Sequence, residues 1–133
     1  MPEILDVPGV TTSASPYPSA VTAGNLVFVS GQVSFDDAGA VVGKDVTAQT
    51  RQALTRLERI LAATGATLHD LVSATVYLTD GDDAAKFNQE WMRWFTDHRP
   101  ARATVIAGLL DSRLLVEIQA IAVTHGAGRK EAE

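Results

Sequence analysis

The sequence has no cysteine. Disulfides, thiol nucleophiles and zinc sites built on thiolates are therefore excluded. Cations are also scarce: 11 Lys and Arg stand against 16 Asp and Glu, a formal net charge of −5. A general surface for nucleic-acid phosphates needs concentrated Lys and Arg, so this balance argues against nucleic acid as a partner and leaves room only for a local basic pocket. No apolar run approaches the roughly 18 residues of a membrane span, and the first residues, MPEILDVPGV, carry early acids and no signal-like apolar stretch. A soluble, cytoplasmic protein without membrane contact is expected. The three histidines, His69, His98 and His125, fall near turns or strand ends, and none is spaced i, i+4 from another, so no metal site is expected. Phosphate loops, dinucleotide fingerprints and nucleophile elbows are missing too.

What is present suits one ordinary domain. The chain has 133 residues, 46% of them hydrophobic and 20% charged, enough for a real core. Residues 1–125 read as the domain and 126–133, GAGRKEAE with its charges, as a disordered tail. The first two dozen residues, with Pro2, Pro8, Pro16 and Pro18, read as extended segments and turns. Asn25 to Val33 reads as a strand, and the turn chemistry of Asp36 to Gly39 suggests a hairpin after it. A helix follows, with Ala53, Leu57, Ile60 and Leu61 on its apolar side and Arg51, Arg56, Glu58 and Arg59 at polar positions. Asp45 or Thr47 suits its start and Gly65 its stop.

Leu71 to Asp80 is a second strong strand. A second helix carries Phe87, Trp91, Trp94 and Phe95 on one face, and His98 and Pro100 end it. ARATVIAGL and RLLVEIQAIAVT are the closing strands. The predicted class is α+β, a single mixed sheet with two helices on one face.

Alternation sharpens this. Leu114, Val116, Ile118, Ala120 and Ala122 form an apolar side for the helices, with Leu115, Glu117, Gln119, Ile121 and Val123 opposite. In the Leu71 strand, Val72, Ala74, Val76 and Leu78 oppose Leu71, Ser73, Thr75, Tyr77 and Thr79. These second faces mix polar and apolar residues, which suits a subunit interface.

Two charges stand out, Arg102 and Glu117, each among apolar neighbours in a predicted, buried-looking strand. They can form a buried ion pair, with each other or with other charges. Alternatively, Arg102 grips a ligand carboxylate with its two-pronged donor set while Glu117 handles a water or a proton. Sequence pattern leaves both open.

PYPSAV, GNLVFVSGQV, DVTAQTRQALTRLERILAATGATLHDLVSATVYLTD, FNQEW, PARATV and LVEIQAIA follow one another in this order. In this combination the chain resembles the RidA/YjgF family from about Pro16 to Val123. The resemblance implies a chorismate-mutase-like fold and a homotrimer with ligand sites between subunits. It also implies hydrolysis of reactive 2-enamine and 2-imine acids, of the 2-aminoacrylate/2-iminopropionate class, to 2-keto acids and ammonia without a cofactor. Pyridoxal-phosphate dehydratases would be the functional partners that release such imines.

Carried over by position, the carboxylate-binding arginine is Arg102 and the water-orienting glutamate is Glu117. Tyr17, the Ser30–Gly31 backbone and Asn88 are ligand contacts. Thr104 lines the site where many relatives have cysteine. Gln119 replaces a frequent second acid, and GLLDSRLL lacks the frequent proline after its leucine, which touches the cleft rim. The competing readings are a non-catalytic binder of small carboxylates, an endoribonuclease, against which the net charge weighs, and aminoacrylate handling in pyrimidine breakdown.

Overall fold

In a computed structural model, residues 2–125 are described, and the tail predicted to be disordered lies outside them. Eight principal elements follow one another: β1 (Glu3–Leu5), β2 (Ala20–Ala23), β3 (Leu26–Gln32), α1 (Val46–Ala63), β4 (Leu71–Leu78), α2 (Ala84–Trp94), β5 (Ala101–Ile106) and β6 (Val116–Val123). The strands make one sheet in the order β1-β2-β3-β6-β4-β5. Every pairing is antiparallel except β4 with β5, which is parallel and reached through α2. The mixed sheet with two helices is the predicted α+β arrangement.

The α1 boundaries follow from its end chemistry. Asp45 accepts a hydrogen bond from Ala48 N at 2.8 Å, satisfying one of the orphan donors of the first turn. Gly65, at φ +83°, takes the chain out in a conformation that disfavours side chains. The α1 stripe of Ala53, Leu54, Leu57, Ile60 and Leu61 is buried against Val27, Val29, Val116 and Ile118 of the sheet. Phe87 and Trp91 of α2 and Phe95 just after it are buried, with ring centroids 5.5 Å and 4.4 Å apart in succession.

Trp94 is only partly buried. Its indole donates to Glu90 Oε2 at 2.8 Å, and Arg51 reaches the same carboxylate from α1 at 3.2 Å. Burial alone would raise the Glu90 pKa, but these hydrogen bonds together with the charges of Arg51 and Arg93 outweigh it and the net shift is downward.

Five expectations are corrected. The proline-rich start contributes β1 and β2, strands too short to show alternation. The hairpin after β3 is a turn closed by a single bridge, Phe35 to Val41, because the Asp36 side chain takes the Ala38 and Ala40 N–H groups itself. In β4 a register shift between Leu71 and Ser73 turns Leu71 into the core and leaves Val72 exposed. β5, expected to be buried, is an edge strand with all six residues exposed, since it pairs with β4 alone. Arg56, expected at a polar helix position, is buried.

The β6 faces stand as predicted, with Leu114, Val116, Ile118, Ala120 and Ala122 buried. Among the described residues no helix is long and apolar enough to cross a membrane.

Candidate active site

The candidate residues fall into two groups on opposite faces of the sheet. The first surrounds a pocket of about 470 Å³ at the end of β3 and β6. Its formation begins with the β3–β6 register: Val29 pairs with Ala120, but Gln32 pairs with Ile118, so the Ser30–Gly31 step bulges. Bulges kink a strand and re-aim what it carries. Here the bulge presses Gly31 onto Glu117, and a β-carbon built on Gly31 would collide with Glu117 Oε2. Only glycine permits this approach.

Ser30 secures the bulge to the loop that carries Tyr17. Its Oγ donates to Pro18 O at 2.7 Å and its N–H to Ser19 O at 3.0 Å. Tyr17, Ser30, Gly31 and Glu117 thus line one pocket, with Phe35 and Gln119 beside them.

Glu117 is half-buried on the face away from the helices. Its carboxylate has no hydrogen-bond or ion-pair partner among the described residues, and burial raises its pKa above the usual carboxylate value. The turn before β6 closes the pocket with Leu110, Asp111 and Leu114. Arg113 grips both oxygens of Asp111, at 3.0 Å and 2.7 Å, and with this hydrogen bonding holds the Asp111 pKa at about 2. Sequence reasoning missed Phe35, Leu110, Asp111 and Leu114 as lining residues. The missing proline after the GLL stretch was the one available signal. The pocket therefore offers two carboxyl groups, and none of its lining residues is Lys or Arg.

The second group sits at the β5 edge, on the helix face. Arg102 lies opposite Ala74, which lies opposite Ala120, and both alanines are buried beneath the helices. Glu117 instead lies in the row Val105–Tyr77–Glu117, on the other face. The two charges cannot meet within one chain, and no salt bridge joins either to another residue among those described.

The Arg102 guanidinium stands 5.1 Å from the ring centres of both Phe87 and Trp91, and Nη2 donates to Asn88 Oδ1 at 2.6 Å. The aromatic stripe of α2 is thus both core and the platform for this cation. Burial lowers the Arg102 pKa, but guanidinium stays charged at any working pH. Nε and Nη1 have no acceptor among the described residues, leaving most of the donor fork free. Thr104, opposite Val76, is exposed on the same face two residues along. The structure therefore joins Tyr17, Ser30, Gly31 and Glu117, and separately Arg102, Asn88 and Thr104.

The family model described as Endoribonuclease L-PSP matches residues 10–124. The chain belongs to the RidA/YjgF family. A RutC family protein of Pyrococcus horikoshii is 38% identical over 123 residues, covering 92% of this chain and 98% of that protein. A 2-iminobutanoate/2-iminopropanoate deaminase of Salmonella typhimurium is 34% identical over 126 residues, covering 92% and 98% respectively. Among solved structures, a Mycobacterium tuberculosis protein titled a member of the YjgF/YER057c/UK114 family aligns with a TM-score of 0.81 at 34% identity, covering 93% of this chain and 100% of that one. This RidA/YjgF member has an arginine in its PARATV stretch, a glutamate in VEIQ and a threonine at position 104.

Proposed function

We propose that the protein is a cofactor-independent hydrolase that deaminates reactive 2-imino and 2-enamine acids of the 2-aminoacrylate/2-iminopropionate class to 2-keto acids and ammonia. One observation carries this reading. The pocket holds an unpartnered, half-buried carboxyl group but no cation, while a guanidinium with a free donor fork stands on the opposite face of the same sheet, at its β5 edge. An anionic substrate beside Glu117 and Asp111 needs a positive partner. A second copy of the chain would supply it, its Arg102 reaching over the open pocket, and a closed homotrimer repeats that contact three times. Val72, Phe28 and Val105, exposed on the uncovered side of the sheet, suit such an interface.

In the assembled site Arg102 fixes the substrate carboxylate and orients the C=N bond, with Asn88 holding the guanidinium. Tyr17 and Thr104 border the bound acid. Glu117 takes a proton from water as its oxygen bonds to the imine carbon. The C=N π electrons move to nitrogen, which takes up a proton. The resulting carbinolamine expels ammonia and leaves the keto acid. The Gly31 backbone, pressed against Glu117, steadies the developing charge. Burial raises the Glu117 pKa, which makes its carboxylate a stronger base toward that water.

The functional partners are pyridoxal-phosphate dehydratases, which release such imines. The deaminase name of the Salmonella typhimurium relative supports this reading. The endoribonuclease description of the family finds less support in a chain of net charge −5 whose pocket lining has no Lys or Arg.

The test couples a serine dehydratase to the protein and traps the imine with semicarbazide. Faster pyruvate formation with less trapping is expected. No effect on imines from serine or threonine would remove the catalytic reading and leave a carboxylate binder. Gly31→Ala is expected to push the Glu117 carboxylate aside and lower the rate on the order of tenfold to a hundredfold, with the helical circular dichroism retained. A wild-type rate in that variant would show that the close approach of bulge and carboxylate is irrelevant to turnover.

A further inference from the structure

Arg56 points from α1 into the sheet and is only 6% exposed. A cation buried this far ordinarily faces a carboxylate. Its acceptors are neutral instead. Nε donates to Gln32 Oε1 at 3.2 Å, and Nη1 lies 3.1 Å from Phe35 O, 3.4 Å from Asp36 O and 3.5 Å from Gly9 O. The neighbouring acid Asp37 is taken by Arg59 at 2.9 Å. Burial, with Arg59 nearby, lowers the Arg56 pKa.

Gln32, Phe35 and Asp36 belong to the stretch that frames the pocket, and Gly9 precedes Val10 and Thr11, which line a smaller chamber. Gln32 closes the bulge, and its Nε2 donates onward to Ser30 O at 3.0 Å. The chain Arg56–Gln32–Ser30 therefore brackets Gly31 on both sides. Phe35 is a pocket wall, and its carbonyl is held a second time by Gln52 at 2.8 Å. Behind this wall a smaller chamber of about 160 Å³ has Arg56 in its lining and shares Tyr17, Gly31, Val33 and Phe35 with the main pocket.

We propose that Arg56 is a positioning residue for the site, clamping the Ser30–Gly31 bulge through Gln32 and the Phe35 wall directly, so that Gly31 stays packed on the Glu117 carboxylate. This rests on the hydrolase reading for its consequence on rate, and on geometry alone for the clamp. A guanidinium spreads its donors over separate nitrogens, so Nε can hold Gln32 while Nη1 holds Phe35, whereas an ammonium offers all its donors from one nitrogen. An ammonium reaching Gln32 would let go of Phe35.

The clamp governs how wet Glu117 is. The titratable groups that accompany Glu117 are Asp111 and Tyr17 in the pocket and Tyr77 on the paired β4 strand. None of these touches Arg56. A loosened bulge admits water to the carboxyl and returns its titration toward the ordinary range.

The experiment compares Arg56→Met, Arg56→Lys and Gln32→Met with Ile60→Val, a buried position of the same helix whose side chain makes no hydrogen bond to the bulge. Carboxyl-carbon NMR of Glu117 reads the clamp without turnover, and kcat/KM against pH reads its effect on the reaction. Arg56→Met is expected to lower the Glu117 titration midpoint and kcat/KM by roughly tenfold or more, moving the acid limb to lower pH. Arg56→Lys should be intermediate, and Ile60→Val should keep the wild-type midpoint and limb. Gln32→Met gives the same reading if Arg56→Met does not fold. An unchanged Glu117 midpoint in the folded variant, or a change matched by Ile60→Val, overturns the clamp. A wild-type protein without imine turnover overturns the hydrolase reading instead, and the NMR titration still decides the clamp.

Discussion

Glu117→Gln is expected to lower kcat by about two to four orders of magnitude while making the folded protein more stable at neutral pH. The rate effect follows from removing the group that accepts the water proton, with a side chain of the same shape left in place. The stability effect follows from burial, which raises the folded-state pKa of Glu117. A carboxyl raised in this way contributes stability that is fully present below its unfolded pKa and is lost as pH rises through the folded value. At pH 7 the wild type therefore bears the cost of a half-buried, unpartnered charge that glutamine does not have. Melting curves at pH 7 and pH 4 should show Glu117→Gln above wild type at the first and level with it at the second. A variant less stable than wild type at both would mean that Arg102 of a second copy already pairs with Glu117 before substrate binds.

Arg102→Ala should fail differently. An arginine that holds the substrate carboxylate in ground state and transition state alike acts mainly on KM. A loss in kcat/KM on the order of a hundredfold to a thousandfold is expected, with KM rising more than kcat falls. Arg102→Lys keeps the charge but loses the fork, and should recover only part of that loss.

The fold should tolerate both changes. Arg102 sits on an exposed edge strand, and its contacts with Phe87 and Trp91 are worth about 0.5–1 kcal/mol each at such a site. Steady-state kinetics beside melting temperatures separates the cases. A loss of rate explained by unfolding would remove Arg102 from the binding machinery.

Much of this was legible in the sequence because its signals are local. Asp45 and Gly65 mark α1 through their cap chemistry, and the alternation of β6 assigns Glu117 to the face opposite Val116 and Ile118. What stayed hidden depends on register and on partners distant in the chain. The turn of Leu71 into the core comes from a bulge against β6, which alternation within β4 cannot report. β5 looked buried because small alanines flank its arginine and Val105 and Ile106 follow, yet it is an edge strand with those apolar side chains exposed. Arg56 looked like an ordinary polar helix position, since its acceptors are mostly backbone oxygens 20 to 47 residues earlier in the chain. The separation of Arg102 from Glu117 required the β4–β5 and β4–β6 registers together. That separation removes the pairing of the two charges within one chain.

Subunit mixing tests the central claim, a site built from Glu117 of one copy and Arg102 of another, most directly. Glu117→Gln and Arg102→Ala proteins, each nearly inactive, are unfolded together in equal amounts, refolded and assayed for imine hydrolysis. In a closed ring assembled at random, about a quarter of the interfaces join an intact Glu117 to an intact Arg102, so activity should return to about a quarter of wild type. Mixing that yields no more activity than the two variants measured apart would contradict a site shared between subunits.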